Sequence, residues 1–455
     1  VFGLFAPQCP IGTWEKTWTE SRMCWLAERL GIDRLLDADV LVPTAECFPL
    51  PYRGTEEDVR RVLDWLCGAM GVKPERLALE ICPDTKPGRP TEMSAGAVGQ
   101  YEYGEQQALI RVKESQLADP QKLAATLAHE LGHELLIGGR LLTAEVPDHE
   151  DFTDLLPVFL GAGVFAANST LEEDYYDTGT WSTWRIGKQG YLPARVFGYA
   201  FALFAFVRGE ERPSWAEHLR LDAADPFWKG LRYLYRTDDS LFHPDRTSSE
   251  RRPLGPEEAV SRLRTGTPTV RLRTLWDLRE NPQTRDDVIA AVAGALRDRD
   301  PDLPAEAART LAVFGDAAAS TVPALVAELP ADNPATRAGA AYALGALQLS
   351  PGVVVPELSA LLPEKNRAVL EAAAEALYHF GMAAEPAGPR LVAALTNALK
   401  DCDYGMIELL AATLVATSPD PRRVVRECME EIDEELGGWA LEAVEEAIAP
   451  SPPAG

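Results

Sequence analysis

Leu127-Ala128-His129-Glu130-Leu131-Gly132-His133-Glu134-Leu135-Leu136 sets two histidines four residues apart inside an apolar run. Residues four apart share one face of a helix, so His129 and His133 can aim two imidazole nitrogens at one ion. Glu130 adjoins the first of them, placed to take a proton from a metal-bound water rather than to bind the metal. Asp119 is suited to cap this helix, Pro120 to its first position, and Gly138-Gly139 to its end. The stretch predicts a helix that carries two ligands of a catalytic zinc and its general base.

Upstream, residues 13–72 read as mostly helical. Thr13 to Leu30 keeps apolar positions at helical spacing, and Thr55 to Met70 opens with T-E-E-D, an N-terminal signal. Arg76 to Ile81 alternates like a strand, and Ala97 to Tyr103 with Ala108 to Val112 reads as a hairpin around Gly104. The fold expected is α+β: a small sheet with active-site helices. A strand just before the metal helix can form the edge of that sheet, where an extended peptide could add as a further strand. The plainer alternative is that Ala108 to Val112 only packs the helix from behind.

A catalytic zinc takes three protein ligands and keeps a position open for water. Downstream, Asp148-His149-Glu150-Asp151-Phe152-Thr153-Asp154 begins a second helix after Pro147. Glu150 and Asp154 share a face, so Glu150 could ligate while Asp154 orients a ligand histidine. His149, Asp151 and Asp154 are rival third ligands. An oxyanion donor is also needed, and Tyr191, Arg195 and Tyr199 lie just before or within the apolar run Val196 to Val207. His218 and His379 read as structural residues, His379 packing within the C-terminal half.

The H-E-x-x-H stretch with Glu150 and Asp154 resembles the gluzincins, the thermolysin-like zinc peptidases. In form it is nearer the E-x-x-A-D pattern of the HtpX-like peptidases, with Thr153 in the place of Ala. The resemblance covers about residues 100–170 and implies a zincin-like domain with His129, His133 and Glu150 as zinc ligands. It further implies Glu130 as the base, Asp154 behind a ligand, and a protein or peptide substrate. The multi-span membrane region of the HtpX-like family has no counterpart here.

Downstream the sequence changes character. Leu278, Leu311, Leu344, Leu377 and Leu410 recur every 33 residues, as do Leu296, Leu329, Leu362, Leu395 and Cys428. Pro323, Pro356 and Pro389 form a third column, each expected to open the second helix of its unit. Helix pairs of such a period cannot bury their apolar faces alone and stack into a solenoid. This half resembles the HEAT-repeat family, and the whole chain resembles bacterial proteins that join an H-E-x-x-H domain to HEAT-like repeats. The division expected is a helical region at 1–95, a zinc peptidase domain at 96–236, a linker with lead-in helix at 237–266, an all-α solenoid at 267–449 and a tail at 450–455.

A formal net charge of −26 argues against nucleic-acid partners, since phosphates would be repelled. Seven scattered cysteines without a C-x-x-C pair fit a reducing compartment. Val1-Phe2-Gly3-Leu4-Phe5-Ala6 offers no basic region and too short an apolar core for a secretory signal. The apolar runs Leu155 to Ala167 and Val196 to Val207 fall short of the roughly 20 residues that span a bilayer, so both are expected as buried helices. The location expected is cytoplasmic. These features anticipate a zinc-dependent peptidase whose repeats recruit a substrate or partner protein. The rival expectation is an interaction scaffold with an inactive or structural zinc domain, and a third is hydrolysis of a non-peptide amide.

Overall fold

The computed structural model describes residues 7–84, 99–169, 192–243, 254–428 and 434–448. The described residues form two compact units, one within 7–243 and one within 254–448.

The first unit contains α1 (Thr13–Leu30), α2 (Asp33–Leu36), α3 (Glu56–Met70), β1 (Leu77–Cys82), β2 (Gly99–Glu102) and β3 (Ala108–Lys113). After these come α4 (Pro120–His133), α5 (His149–Phe159), α6 (Val164–Ser169), α7 (Ala194–Val207) and α8 (Leu221–Arg236). Local chemistry fixes the helix starts. Thr55 accepts from the Asp58 amide at 3.2 Å while Asp58 accepts from the Thr55 amide at 3.1 Å, a reciprocal capping box. Asp119 accepts from the amides of Gln121 and Lys122 at 3.1 and 3.2 Å, with Pro120 where no amide is needed. The helix then widens into a π turn over Glu134–Gly138.

The sheet order is β1-β3-β2, with β1 parallel and β2 antiparallel to β3. This corrects one expectation: β3 is the central strand, and the edge next to the metal helix is β2. Leu77 pairs with Ala108 and Tyr101 with Ile110, so Leu77, Ala108, Ile110 and Val112 share the buried face. Gly99 and Tyr101 lie on that same face of β2.

The core is built on α7, whose Val196, Phe197, Phe201, Leu203 and Phe204 are fully buried. Each such side chain contributes about 1.5–3 kcal/mol on burial. The run Leu155 to Ala167 is buried too, but as two helices parted by a turn at Gly161, whose φ is 81°. A side chain there would be strained, and its Cβ would lie 2.4 Å from the Asp39 carbonyl oxygen.

The division at residue 95 is not seen. α1 packs on α5 and α7, and α3 packs on α4, so the N-terminal helices complete one core. The start of the expected linker also belongs to this unit. Phe242 is fully buried and the Leu241 amide donates to Glu20 of α1 at 2.7 Å. Among the described residues Cys9, Cys47, Cys67 and Cys402 form no disulfide. No described helix is long and apolar enough to cross a membrane.

The second unit is a run of helices from α9 (Pro256–Thr265) and α10 (Pro268–Glu280) through α11 (Asp286–Ala295), α12 (Leu303–Val313) and α13 (Val322–Ala327). It continues with α14 (Pro334–Leu347), α15 (Pro351–Ala360), α16 (Arg367–Phe380), α17 (Gly388–Lys400), α18 (Tyr404–Thr417), α19 (Pro421–Cys428) and α20 (Glu434–Ile448). Leu278, Leu311, Leu344, Leu377 and Leu410 are each at most 1 % exposed, so the 33-residue column is the seam of the stack. Contacts run mainly between neighbouring repeats, as a solenoid requires. α9 packs on α10 and α11, which makes the expected lead-in helix part of the stack. Pro323 and Pro389 sit at the second positions of α13 and α17, whereas Pro356 lies inside α15, which Pro351 opens. His379 is exposed beside Tyr378 rather than packed.

Leu377 is fully buried on α16, which packs on both α14 and α18, so Leu377→Ala should destabilise the repeats by about 2–5 kcal/mol. Urea unfolding followed by circular dichroism would read this as a lowered midpoint; an unchanged midpoint would contradict the role of the seam.

Candidate metal centre

Two helices are brought together by a missing side chain. A Cβ at Gly132 would stand 2.8 Å from Thr153 Cγ2 and 2.9 Å from the Thr153 carbonyl oxygen. The glycine therefore lets α5 approach α4, and that approach carries Glu150 to both histidines. Glu150 Oε2 is 3.2 Å from His129 Nε2 and 3.4 Å from His133 Nε2. His129, His133 and Glu150 each offer a ligand atom, all within 4.8 Å of one another.

The second ring nitrogens are committed elsewhere. His129 Nδ1 is 2.7 Å from Asp154 Oδ1, and an ionised carboxylate can only accept, so the ring donates there. Asp154 Oδ2 accepts from the Leu192 amide at 2.9 Å, which holds the carboxylate in place. Thr153 donates its hydroxyl to the His149 carbonyl at 2.8 Å, leaving a lone pair for His133 Nδ1 at 3.4 Å. His149 Nδ1 donates to the Val146 carbonyl at 2.9 Å, and its Nε2 is 3.1 Å from Glu150 Oε1.

With every Nδ1 committed, each of the three rings turns Nε2 toward one carboxylate, as a lone pair wherever the ring is unprotonated. Lone pairs facing a carboxylate repel, so positive charge belongs between them. A proton relieves one such pair, whereas a cation among His129, His133 and Glu150 relieves that whole group. Two imidazoles and a carboxylate fit zinc with one position left open.

Glu130 is 4 % exposed and its Oε2 has no hydrogen-bond partner among the described residues. Burial pushes its pKa up to about 7, with Glu150 and Asp154 adding to the rise against the pull of His129. A carboxyl near neutrality can both take and return a proton. Burial lowers the pKa of His133. Burial also acts to lower His129, but Asp154 and Glu150 outweigh it and hold that ring above its ordinary value. The two histidines hold Glu150 below the usual carboxylate range against its own burial.

The remaining candidates are placed as follows. Asp154 orients His129 rather than joining the ligand group, and His149 stands against the other oxygen of Glu150. Asp151 is 1 % exposed with neither carboxylate oxygen hydrogen-bonded among the described residues, and it is outside the group. Tyr199 is withdrawn as an oxyanion donor, because its hydroxyl is buried and donates to Glu20 at 2.6 Å. Arg195 is likewise engaged, its guanidinium 2.8 Å from Glu15 Oε1. Tyr191 lies outside the described residues. His218 has its carbonyl bonded by Asn168 at 2.8 Å, away from the ligand group. The sequence reading missed Tyr101, which stacks on His133 with ring centroids 5.8 Å apart. The alternation of Gly99 and Tyr101 along β2 was the signal that could have found it.

Residues 322–416 match the family model described as HEAT repeats. No curated protein sequence matches the chain. Among solved structures, an engineered protein is 20% identical with a TM-score of 0.31, covering 42% of this chain and 96% of its own. The complex of CpcE and CpcF of phycocyanin lyase from Nostoc sp. is 18% identical with a TM-score of 0.28, covering 44% of this chain and 97% of its own. A further engineered protein is 13% identical with a TM-score of 0.32, covering 94% of this chain and 98% of its own. With TM-scores this low, these likenesses carry no argument.

Two predictions concern the centre. Asp154→Asn should weaken zinc binding about 10–100-fold, as loss of an orienting carboxylate does, while Glu150→Ala should reduce it further. Competition titration against a fluorescent chelator measures both, and equal affinity in wild type and Asp154→Asn would refute the orienting role. Burial lifts the pKa of Asp151 to about 8 from its ordinary 3.8. A carboxyl raised on folding favours the fold below about pH 4 and loses that advantage as pH climbs through about 8. Asp151→Asn should therefore gain in Tm relative to wild type between pH 4 and pH 8, as thermal melts across that range would record; a constant difference would contradict it.

Proposed function

We propose that the unit within residues 7–243 is a zinc-dependent peptidase and that the HEAT repeats recruit its protein substrate or a partner. The observation that carries the catalytic half is the convergence of His129, His133 and Glu150 with Glu130 within electrostatic reach, its Oε2 without a hydrogen-bond partner among the described residues. Zinc held by those three ligands would acidify a water and polarise a carbonyl. Glu130 would accept a proton from the attacking water as its oxygen bonds to the carbonyl carbon, and would return it to the nitrogen as the C–N bond breaks. His129 stays oriented because Asp154 fixes its Nδ1 proton, and Glu150 bridges the two histidines as the anionic ligand. The same water activation would serve a non-peptide amide.

The family match favours a second reading more directly than it favours this one. On that reading the repeats act as an interaction scaffold beside an inactive or structural zinc domain, and 322–416 is the support for it. The peptidase reading rests on the donor geometry, not on any relative.

Glu130→Gln separates the two. It should keep zinc and lower peptide hydrolysis about 10²–10⁴-fold, measured on a fluorogenic peptide library. His129→Ala should lose the zinc. Hydrolysis undiminished in Glu130→Gln would remove the base. A wild type that holds zinc yet cleaves neither the library nor a captured partner would favour the scaffold.

A further inference from the structure

The two ligand histidines are held in different ways. His129 has a carboxylate on Nδ1 at 2.7 Å, whereas the partner of His133 Nδ1 among the described residues is the Thr153 hydroxyl at 3.4 Å. A contact that long orients a ring weakly. The rings of His129 and His149 stand 4.8 and 6.2 Å away between centroids, and a further ring reaches His133 from the sheet.

Tyr101 lies over His133 at 5.8 Å between centroids with the ring planes only 25° apart. Its hydroxyl donates to Glu134 Oε2 at 2.7 Å. Glu134 Oε1 faces Nε and Nη2 of Arg76, each at 3.4 Å. Arg76 also donates to the carbonyls of Glu105 and Gln106 at 2.9 and 3.3 Å, in the turn between β2 and β3. The contacts close a circuit: the turn grips Arg76, Arg76 faces Glu134, Glu134 holds Tyr101, and Tyr101 flanks the ligand.

The backbone is fitted to the circuit. Glu134 opens the π turn that follows His133, and Gly138 closes it. A Cβ at 138 would stand 2.3 Å from Glu134 Oε2 and 2.7 Å from the Tyr101 hydroxyl, so a side chain there would push the two bonded groups aside. Two positions earlier on the same strand face, a Cβ at Gly99 would meet Glu130 Oε1 at 2.5 Å. Strand β2 is thus shaped against both the ligand and the base.

We propose that Tyr101 is the positioning residue for His133, locked by Glu134 and seated by Gly138, and this rests on the metal-site reading above. Tyr101 binds no metal. It confines the imidazole so that Nε2 faces the site before the cation arrives, which lowers the ordering cost of binding.

The test uses the full chain and two readouts. Zinc affinity is measured by chelator competition, and the geometry of the site by the visible spectrum of the cobalt(II)-loaded protein. Tyr101→Leu should bind zinc about 10–100-fold more weakly, in the range for loss of a residue that orients a ligand, and should alter the cobalt spectrum. Tyr101→Phe keeps the ring and should recover part of the loss. Gly138→Ala, which leaves the ring in place but crowds its anchor, should follow Tyr101→Leu in direction, so a misfolded Tyr101→Leu does not end the test. Wild-type affinity and spectrum in a folded Tyr101→Leu or Gly138→Ala protein would overturn the proposal and leave the metal site standing. A wild type that binds neither zinc nor cobalt would overturn the metal-site reading and this inference with it.

Discussion

The contact between Gly132 and Thr153 is the constraint on which the centre depends. No other residue lets a backbone carbonyl and a threonine methyl come so close to a helix, and a Cβ there would push α5 away. Glycine inside a helix costs about 1 kcal/mol relative to alanine. The cost is offset by what the approach buries: Leu127 and Leu131 on α4 and Phe152, Leu155 and Leu156 on α5 are fully enclosed. Glu150 and Asp154 flank Thr153 along α5, so one contact sets both the distance of the ligand and the bond to His129. A displacement of an ångström would break the convergence on Glu150.

A second polar knot explains why the outer parts of this unit belong to it. Glu20 is fully buried on α1 and receives Lys16 Nζ at 3.0 Å, the Tyr199 hydroxyl at 2.6 Å and the Leu241 amide at 2.7 Å. Burial raises its pKa, and these donors are what make a buried charge tolerable. Lys16 also meets Asp239 at 3.5 Å. The knot ties α1, α7 and the segment after α8 into one body. Tyr199 is therefore committed to the core, and its place before so many apolar residues was the sign of that.

The legible parts of the chain were those written in local or periodic chemistry. Asp119-Pro120 announced α4, Thr55 announced α3, and the spacing of Glu150 and Asp154 put both on one face of a helix. The repeats were legible because the same leucine returns every 33 residues. The strand order was not, because Leu77 and Ala108 pair in parallel across 31 residues and nothing near either one records it. Arg195 and Tyr199 misled for the same reason: their partners, Glu15 and Glu20, lie about 180 residues away in sequence. For Tyr101 the two-residue alternation of β2 could give its face of the sheet but not the ring it stacks on.

The donor set itself weighs on what the centre is for. A structural zinc is usually enclosed by four protein ligands, most often including thiolates, and needs no ionisable group beside it. The ligand group among the described residues has three members, none of them cysteine. Two neutral imidazoles and one carboxylate would leave a divalent cation with one net positive charge, enough to draw electron density from a water or a carbonyl. Asp154 sits behind a ligand, where it makes that imidazole more basic without quenching the charge directly. Glu130 would be a liability in a purely structural site, since at 4 % exposure its Oε2 has no hydrogen-bond partner among the described residues, and such burial costs stability. On the proposed peptidase reading, Glu130 beside His129, His133 and Glu150 would serve proton transfer, and a scaffold would need another use for that carboxylate.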